Sequence, residues 1–551
     1  MGKLPQVPYM TGTKRIKHYT RDVLDFRGLN LTPTAQDGEL TMTRGITTKK
    51  YPYISQVPDI TETYTWEEEG AVKTYEDPIS LFEWDGYLYV VQSDGKVYRN
   101  GGLIGTMDTP ASGQHMAVVN TKLCIFPDKY YVDLTDNTLH SLIKNTWTGS
   151  LTVTIDTDYA TLAGTGIENG FEENDVIDIA QDDLKIKRLT VKTVGTDEIV
   201  VSLDDNLAYL DLTSSVKVMT SVPDLTFICL SNNRLWGVDE DNNTIYASAL
   251  GDPTEWFDYS GDSGSYTVVV GSPGMFTGIC EYGGAVCAWK ENILHKILGQ
   301  YPSEYYMITS AIYGVKGGCH RSLIAINGLL YYMSPYGMCV YGGNRPSLIS
   351  SSLGETSLAD VCCGTDGRFL YLACQVPAAG TDEGPTPWPI GSHLFAYDID
   401  RSMWVSEAED KWYTAIVYLY GTIYFLYWGD AHEEGTNAVL FHAPSVAASH
   451  EWVAELAEVT ENTFARKGYV KLNVRLDMEP SSSIKIYAKE DRRAYRKIWE
   501  RANTASNDYN PVTMTVPIRL GRCDRWQMKF EGTGNVTIRG IEREHVLGSE
   551  K

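Results

Sequence analysis

Ten cysteines and ten histidines are the residues of this chain best suited to metal or nucleophilic chemistry. Metal sites hold their ligands at short fixed spacings, yet the sequence contains neither Cys-x-x-Cys nor His-Glu-x-x-His. The adjacent Cys362 and Cys363 would point to opposite faces of a strand and could not share an ion. Most cysteines have apolar neighbours, as in Leu123-Cys124-Ile125, and read as reduced core thiols. Gly261-Asp-Ser-Gly-Ser265 only approaches the Gly-x-Ser-x-Gly that presents a nucleophilic serine, and no strand-to-helix elbow surrounds it. The glycine pairs Gly101-Gly102, Gly283-Gly284, Gly317-Gly318 and Gly342-Gly343 open no phosphate-cradling helix and read as turns. No catalytic constellation, metal or cofactor is therefore expected.

Carboxylates remain. Ser93-Asp94-Gly95-Lys-Val-Tyr98 and Thr365-Asp366-Gly367-Arg-Phe-Leu370 resemble fragments of the Asp-box turns of sialidases. Neither has the following Thr-Trp, so both read as hairpin turns. Catalytic carboxylate pairs that meet only in three dimensions leave no local spacing, so a glycan-binding or glycan-degrading role stays open as an alternative.

The elements that would position any site are strands. With 36 Tyr, 13 Trp and 49 Gly, the composition favours pleated surfaces and tight turns over helices. From residue 76 a theme repeats: an apolar strand, a Gly, Asn or Asp turn, then a second apolar and aromatic strand. Leu81-Phe-Glu-Trp-Asp-Gly86-Tyr-Leu-Tyr-Val-Val91 is the first copy, and six more follow. Aligned on Tyr87, Leu123, Leu235, Val286, Leu330, Leu370 and Ile423, the copies are 36, 112, 51, 44, 40 and 53 residues apart. Five of these six spacings suit four-stranded blades, and the pattern predicts an all-β protein built on a six- or seven-bladed β-propeller. One blade cannot bury both its faces, whereas blades packed radially cover one another.

The long gap marks an inserted small β-barrel or sandwich at 144–222, leaving 76–143 and 223–450 to the propeller. Strict apolar-polar alternation after His450 predicts a C-terminal β-sandwich over 451–551. Residues 1–75 have no sustained period and read as an extended arm, ordered by lying on the rest of the chain or on a neighbouring subunit. From its charge, Lys14, Arg15, Lys17 and Arg21 are candidate contacts between subunits or to an adaptor ring. Deleting residues 1–50 is expected to abolish ring assembly and leave a folded monomer.

The net charge of −24 excludes a generic cationic nucleic-acid binder. Residues 51–451 hold 20 basic against 53 acidic residues, a charge of −33 that suits a surface facing a polyanion without adhering to it. No run of about 18 to 20 apolar residues is present for a membrane helix, and the N-terminus lacks a signal-peptide core, so folding in a cytoplasm is expected.

Asn233-Arg-Leu-Trp-Gly-Val238, Thr244-Ile-Tyr-Ala-Ser-Ala-Leu-Gly-Asp-Pro-Thr-Glu-Trp256, Ala288-Trp-Lys-Glu-Asn-Ile-Leu-His-Lys-Ile-Leu-Gly299, Gly314-Val-Lys-Gly-Gly318 and Tyr336-Gly-Met-Cys-Val-Tyr-Gly-Gly343 resemble the propeller core of tailed-bacteriophage tail proteins, among them tail nozzle and packaged-DNA stabilization proteins. The resemblance covers about residues 225–345 well and the flanking repeats loosely. It implies a non-enzymatic virion protein of the tail nozzle, tail tip or neck, assembled in the host cytoplasm. The expected assembly is a homo-hexameric ring that contacts adaptor, portal or other tail proteins, with tail fibres as further possible partners. The genome would pass through the ring without specific binding, repelled by acidic walls. Trp236, Trp256 and Trp289 are expected to pack blades.

Overall fold

The computed structural model describes residues 17–547, apart from residues 58, 69, 109, 112, 183, 211–213, 240–242, 355–357, 377–390, 410, 429–438, 446–450, 504–509 and 519–520. The described residues form strands joined by turns, with five short 3-10 segments as their helical elements. Lys14, Arg15 and the terminal Gly548-Ser-Glu550 lie outside the described residues.

Seven four-stranded antiparallel sheets make a seven-bladed propeller. Blades 1 to 6 occupy residues 78–106, 115–141, 227–269, 278–311, 324–348 and 359–409. Blade 7 takes three strands from residues 413–445 and its fourth from Asp59–Thr63, which pairs with Val439–Ser445. This early strand closes the ring, because the first strand of blade 7 (Tyr413–Leu419) also packs on that of blade 1 (Pro78–Trp84). Each sequence repeat marks the second strand of its blade, where the turn chemistry is strongest. At Asp85-Gly86 (φ 49° and 77°) and Asn327-Gly328 (φ 51° and 77°) both residues are left-handed, the conformation a two-residue hairpin requires.

Trp236, Trp256 and Trp289 are fully buried, and large apolar clusters fill the spaces between successive blades. All ten cysteines are free, and eight are buried. Cys362 belongs to the cluster between blades 6 and 7, while Cys363 faces the core shared with the C-terminal region, so the pair does point to opposite faces. The Asp turns are structural: Asp94 accepts from the Lys96 backbone, and Asp366 from the Arg368 and Phe369 backbones. Gly261-Asp-Ser-Gly-Ser265 wraps the fully buried Arg234, which donates to the carbonyls of Ser248, Asp262 and Gly264.

Residues 146–220 form one curled seven-stranded sheet around its own core. Val191 pairs with Val201 and Val176 with Thr190, so the long strand Leu184–Gly195 carries both halves of the sheet. Among the described residues its ends are not joined by hydrogen bonds into a closed barrel. The chain leaves and rejoins the propeller side by side, with Thr220 N–H donating to Asn145 O at 2.9 Å.

The C-terminal region is a sandwich of two sheets, and the arm completes both. His18–Val23 pairs with Val536–Leu547 at the edge of one, and Leu40–Arg44 pairs with Glu451–Leu456 at the edge of the other. Between those strands Phe26 and Leu29 are buried in a core continuous with blades 5 and 6. Leu29 N–H donates to Trp404 O at 2.7 Å, and Lys49 reaches Glu407 of blade 6 at 2.8 Å. From residue 17 onward the arm therefore lies on its own chain. This corrects the expected result of deleting residues 1–50: the cut removes a strand from each sheet and the core residues Val23, Phe26, Leu29, Leu40 and Ile46, so the sandwich would not stay folded. No helix among the described residues is long and apolar enough to cross a membrane.

Candidate functional site

Two clefts gather charged side chains. The larger, about 930 Å³, lies where the arm crosses the sandwich and is lined by Arg21, Asp37, Glu461, Arg543 and His545. Strand Val536–Leu547 carries Arg543 inward, where its side chain is 2% exposed. Its Nη1 donates to Asp37 Oδ1 at 3.0 Å, Nη2 to Asp37 Oδ2, and Nε to Glu461 Oε1 at 2.5 Å. Burial disfavours this charge, but Asp37 and Glu461 outweigh it and raise the guanidinium above its ordinary value. Two of the residues singled out for charge sit here. Arg21 is exposed, with Nε 4.0 Å from Asp37, and Lys17 stands 5.0 Å over the Tyr19 ring, which stacks on His545. The arrangement is a saturated ion cluster that staples the arm to the sandwich.

The second cleft lies on the propeller axis, where the first strands of the blades converge. The turn His320–Ser322, just before the inner strand of blade 5, directs His320 and Arg321 toward the axis. His320 lies 4.4 Å from His115 of blade 2 and 4.7 Å from Phe227 of blade 3, measured between ring centroids. Burial pushes His320 down to about 3, with Arg321 adding to the effect, and holds His115 well below its ordinary value. Both rings are thus neutral at physiological pH.

Arg321 occupies the centre of this region. A space of about 340 Å³ on one side is walled by Trp412, Trp428 and Asp360, and one of about 190 Å³ on the other reaches Phe82 and His115. Arg321, Cys362 and Thr414 border both. The guanidinium donates through Nη1 to Thr414 O at 2.9 Å. Among the described residues no ion pair joins it to a carboxylate, although Asp360 lines the same cleft, and burial lowers it from its ordinary value while Cys362 opposes. Burial also pushes the Cys362 thiol up to about 12, so no thiolate supplies the missing charge. In the wall, His320 Nε2, Trp412 Nε1 and Thr414 Oγ1 are buried without hydrogen-bond partners. Sequence reasoning missed this group because Gly317-Gly318 read as a turn. The available signal was a His-Arg pair between that turn and an apolar inner strand.

Among the described residues no group of three or more His, Cys, Asp or Glu is placed to hold a metal ion. No protein family matches the chain, and no curated protein matches it. Among solved structures, an exo-β-1,3-galactanase of Phanerochaete chrysosporium with galactose is similar at 8% identity and TM-score 0.22, over 56% of this chain and 92% of that one. The computationally designed Ika8 protein is similar at 7% identity and TM-score 0.30, over 70% of this chain and 100% of that one. Dihydro-heme d1 dehydrogenase NirN is similar at 10% identity and TM-score 0.32, over 68% and 70%. Likeness at this level transfers neither residues nor activity to this chain.

Proposed function

We propose that this protein is a non-enzymatic structural component of a tailed-bacteriophage virion, a nozzle, neck or tail-tip subunit that forms a homo-hexameric ring on the tail axis and contacts adaptor or other tail proteins. The observation that carries the reading is the outer edge of blade 4. Among the described residues, strand Tyr306–Ala311 pairs on one side only, and Tyr306, Met307 and Ile308 are 55%, 36% and 46% exposed. Tyr336 and Val269, from the adjacent blades 5 and 3, are also exposed. An unpaired apolar edge invites association, and stable monomers blunt such edges with charge or cover. The same blades carry the residues that resemble phage tail propellers.

Charge supports the reading as well. Most acids of the described propeller residues, such as Asp94, Asp224 and Asp360, are exposed or half-buried, while Asp239 and Asp398 are buried. An acidic surface repels DNA phosphates, so a ring of such subunits would let the genome slide past. Light scattering and negative-stain microscopy of the full chain, alone and with the other tail proteins of its source, test the proposal. A ring is expected, and Ile308→Lys should return it to monomers with an unchanged circular dichroism spectrum. A chain that stays monomeric with every tail protein overturns the reading.

A further inference from the structure

The axial cleft is independent of the ring proposed above, and its chemistry points to a small ligand. A guanidinium held half-buried among apolar and neutral groups gains from a counter-charge or further acceptors. Elsewhere in the chain that need is met. Arg543 has two carboxylates, and Arg234 has a cage of backbone carbonyls. Among the described residues Arg321 has one carbonyl, the nearby rings His115 and His320 are neutral, and Asp360 lines the same cleft outside ion-pair distance. Its other N–H groups are not sealed into the protein, since it borders open space on two sides. A planar fork with free donors matches a carboxylate or another oxyanion.

The rest of the cleft describes what carries that oxyanion. Trp412 and Trp428 stand edge-to-face with centroids 6.5 Å apart and form an apolar corner beside the charge. Trp428 is 36% exposed, so the corner opens to solvent. Behind the wall, buried polar atoms of His320, Trp412 and Thr414 have no hydrogen-bond partner among the described residues. About 340 Å³ is at the small end of ligand sites. A pyranose offers an apolar face for indole packing and hydroxyls for the polar wall.

We propose that the axial cleft binds a small acidic saccharide, its carboxylate paired with Arg321 and its ring packed against Trp412 and Trp428. Saturation-transfer NMR and calorimetric titration of the purified full chain with glucuronate, glucose and inorganic phosphate test this. Glucuronate is expected to bind, at least tenfold more tightly than either glucose or phosphate. Arg321→Gln should weaken glucuronate binding at least tenfold, and Trp428→Ala, at a half-open rim position that does not threaten folding, should weaken it severalfold. Absence of glucuronate binding, or glucuronate binding unaffected by Trp428→Ala, overturns the proposal. Phosphate binding as tightly as glucuronate would reduce the site to a simple anion pocket and overturn the saccharide assignment.

Discussion

Arg543 is buried and Arg321 half-buried, and their surroundings differ in what they complete. Around Arg543 the sandwich and the arm supply two carboxylates from distant parts of the chain, Asp37 and Glu461, and the cation joins three segments. Around Arg321 six blades converge and supply one carbonyl oxygen. The first environment is closed by folding alone. Among the described residues the second is left incomplete by folding, and a half-buried charge without a counter-charge in a cleft is a candidate for binding.

The largest effect that separates them is in stability. Arg543→Ala leaves two acids facing each other in a partly buried cleft and should cost about 3–5 kcal/mol in chemical denaturation of the full chain. A loss below about 1 kcal/mol would show that the arm is held by its apolar contacts alone. The next effect is in pH. The axial His320 sits near 3 in the folded chain and near 6.5 when unfolded, so between these values the unfolded state binds more protons. Stability is then fully present above about pH 6.5 and falls as pH drops toward 3, by about 1–2 kcal/mol between pH 7 and pH 5. His115 acts in the same direction, and Arg321 beside both opposes their protonation. His320→Asn should flatten this part of the profile, and a profile identical to wild type would show that the ring is not enclosed in solution.

The two regions also differ in how far the sequence exposes them. The repeats were legible because each second strand follows a turn whose Asn, Asp or Gly residues are dictated locally, as at Asp85-Gly86 and Asn327-Gly328. The strand that closes blade 7 was not, because Asp59–Thr63 pairs with a partner some 380 residues away and a long-range edge leaves no local periodicity. The arm was read as patternless for the same reason: its apolar residues Phe26, Leu29 and Leu40 are spaced to suit two sheets and blade 6 at once, not a single element of their own. The axial cleft was illegible for a stronger reason. Phe82, His115, Phe227, Arg321, Cys362 and Thr414 come from six blades and meet only when the ring closes. Of the basic residues singled out in the sequence, Arg21 is exposed 4.0 Å from Asp37 and Lys17 lies over the Tyr19 ring.

The smallest stability effect is the most discriminating. If Arg321 were a cross-link like Arg543, removing its charge would strand a partner and destabilise the propeller by several kcal/mol. With one carbonyl as partner among the described residues, Arg321→Gln removes a half-buried cation and keeps an amide able to donate to Thr414 O, so the unliganded chain should stay within about 1 kcal/mol of wild type. Denaturation without added ligand measures this, and a loss of about 3 kcal/mol would place Arg321 among the structural arginines. Near-neutral stability would instead mean that a half-buried charge at the meeting point of the blades contributes nothing to holding them together, which fits a group that acts on what enters the cleft.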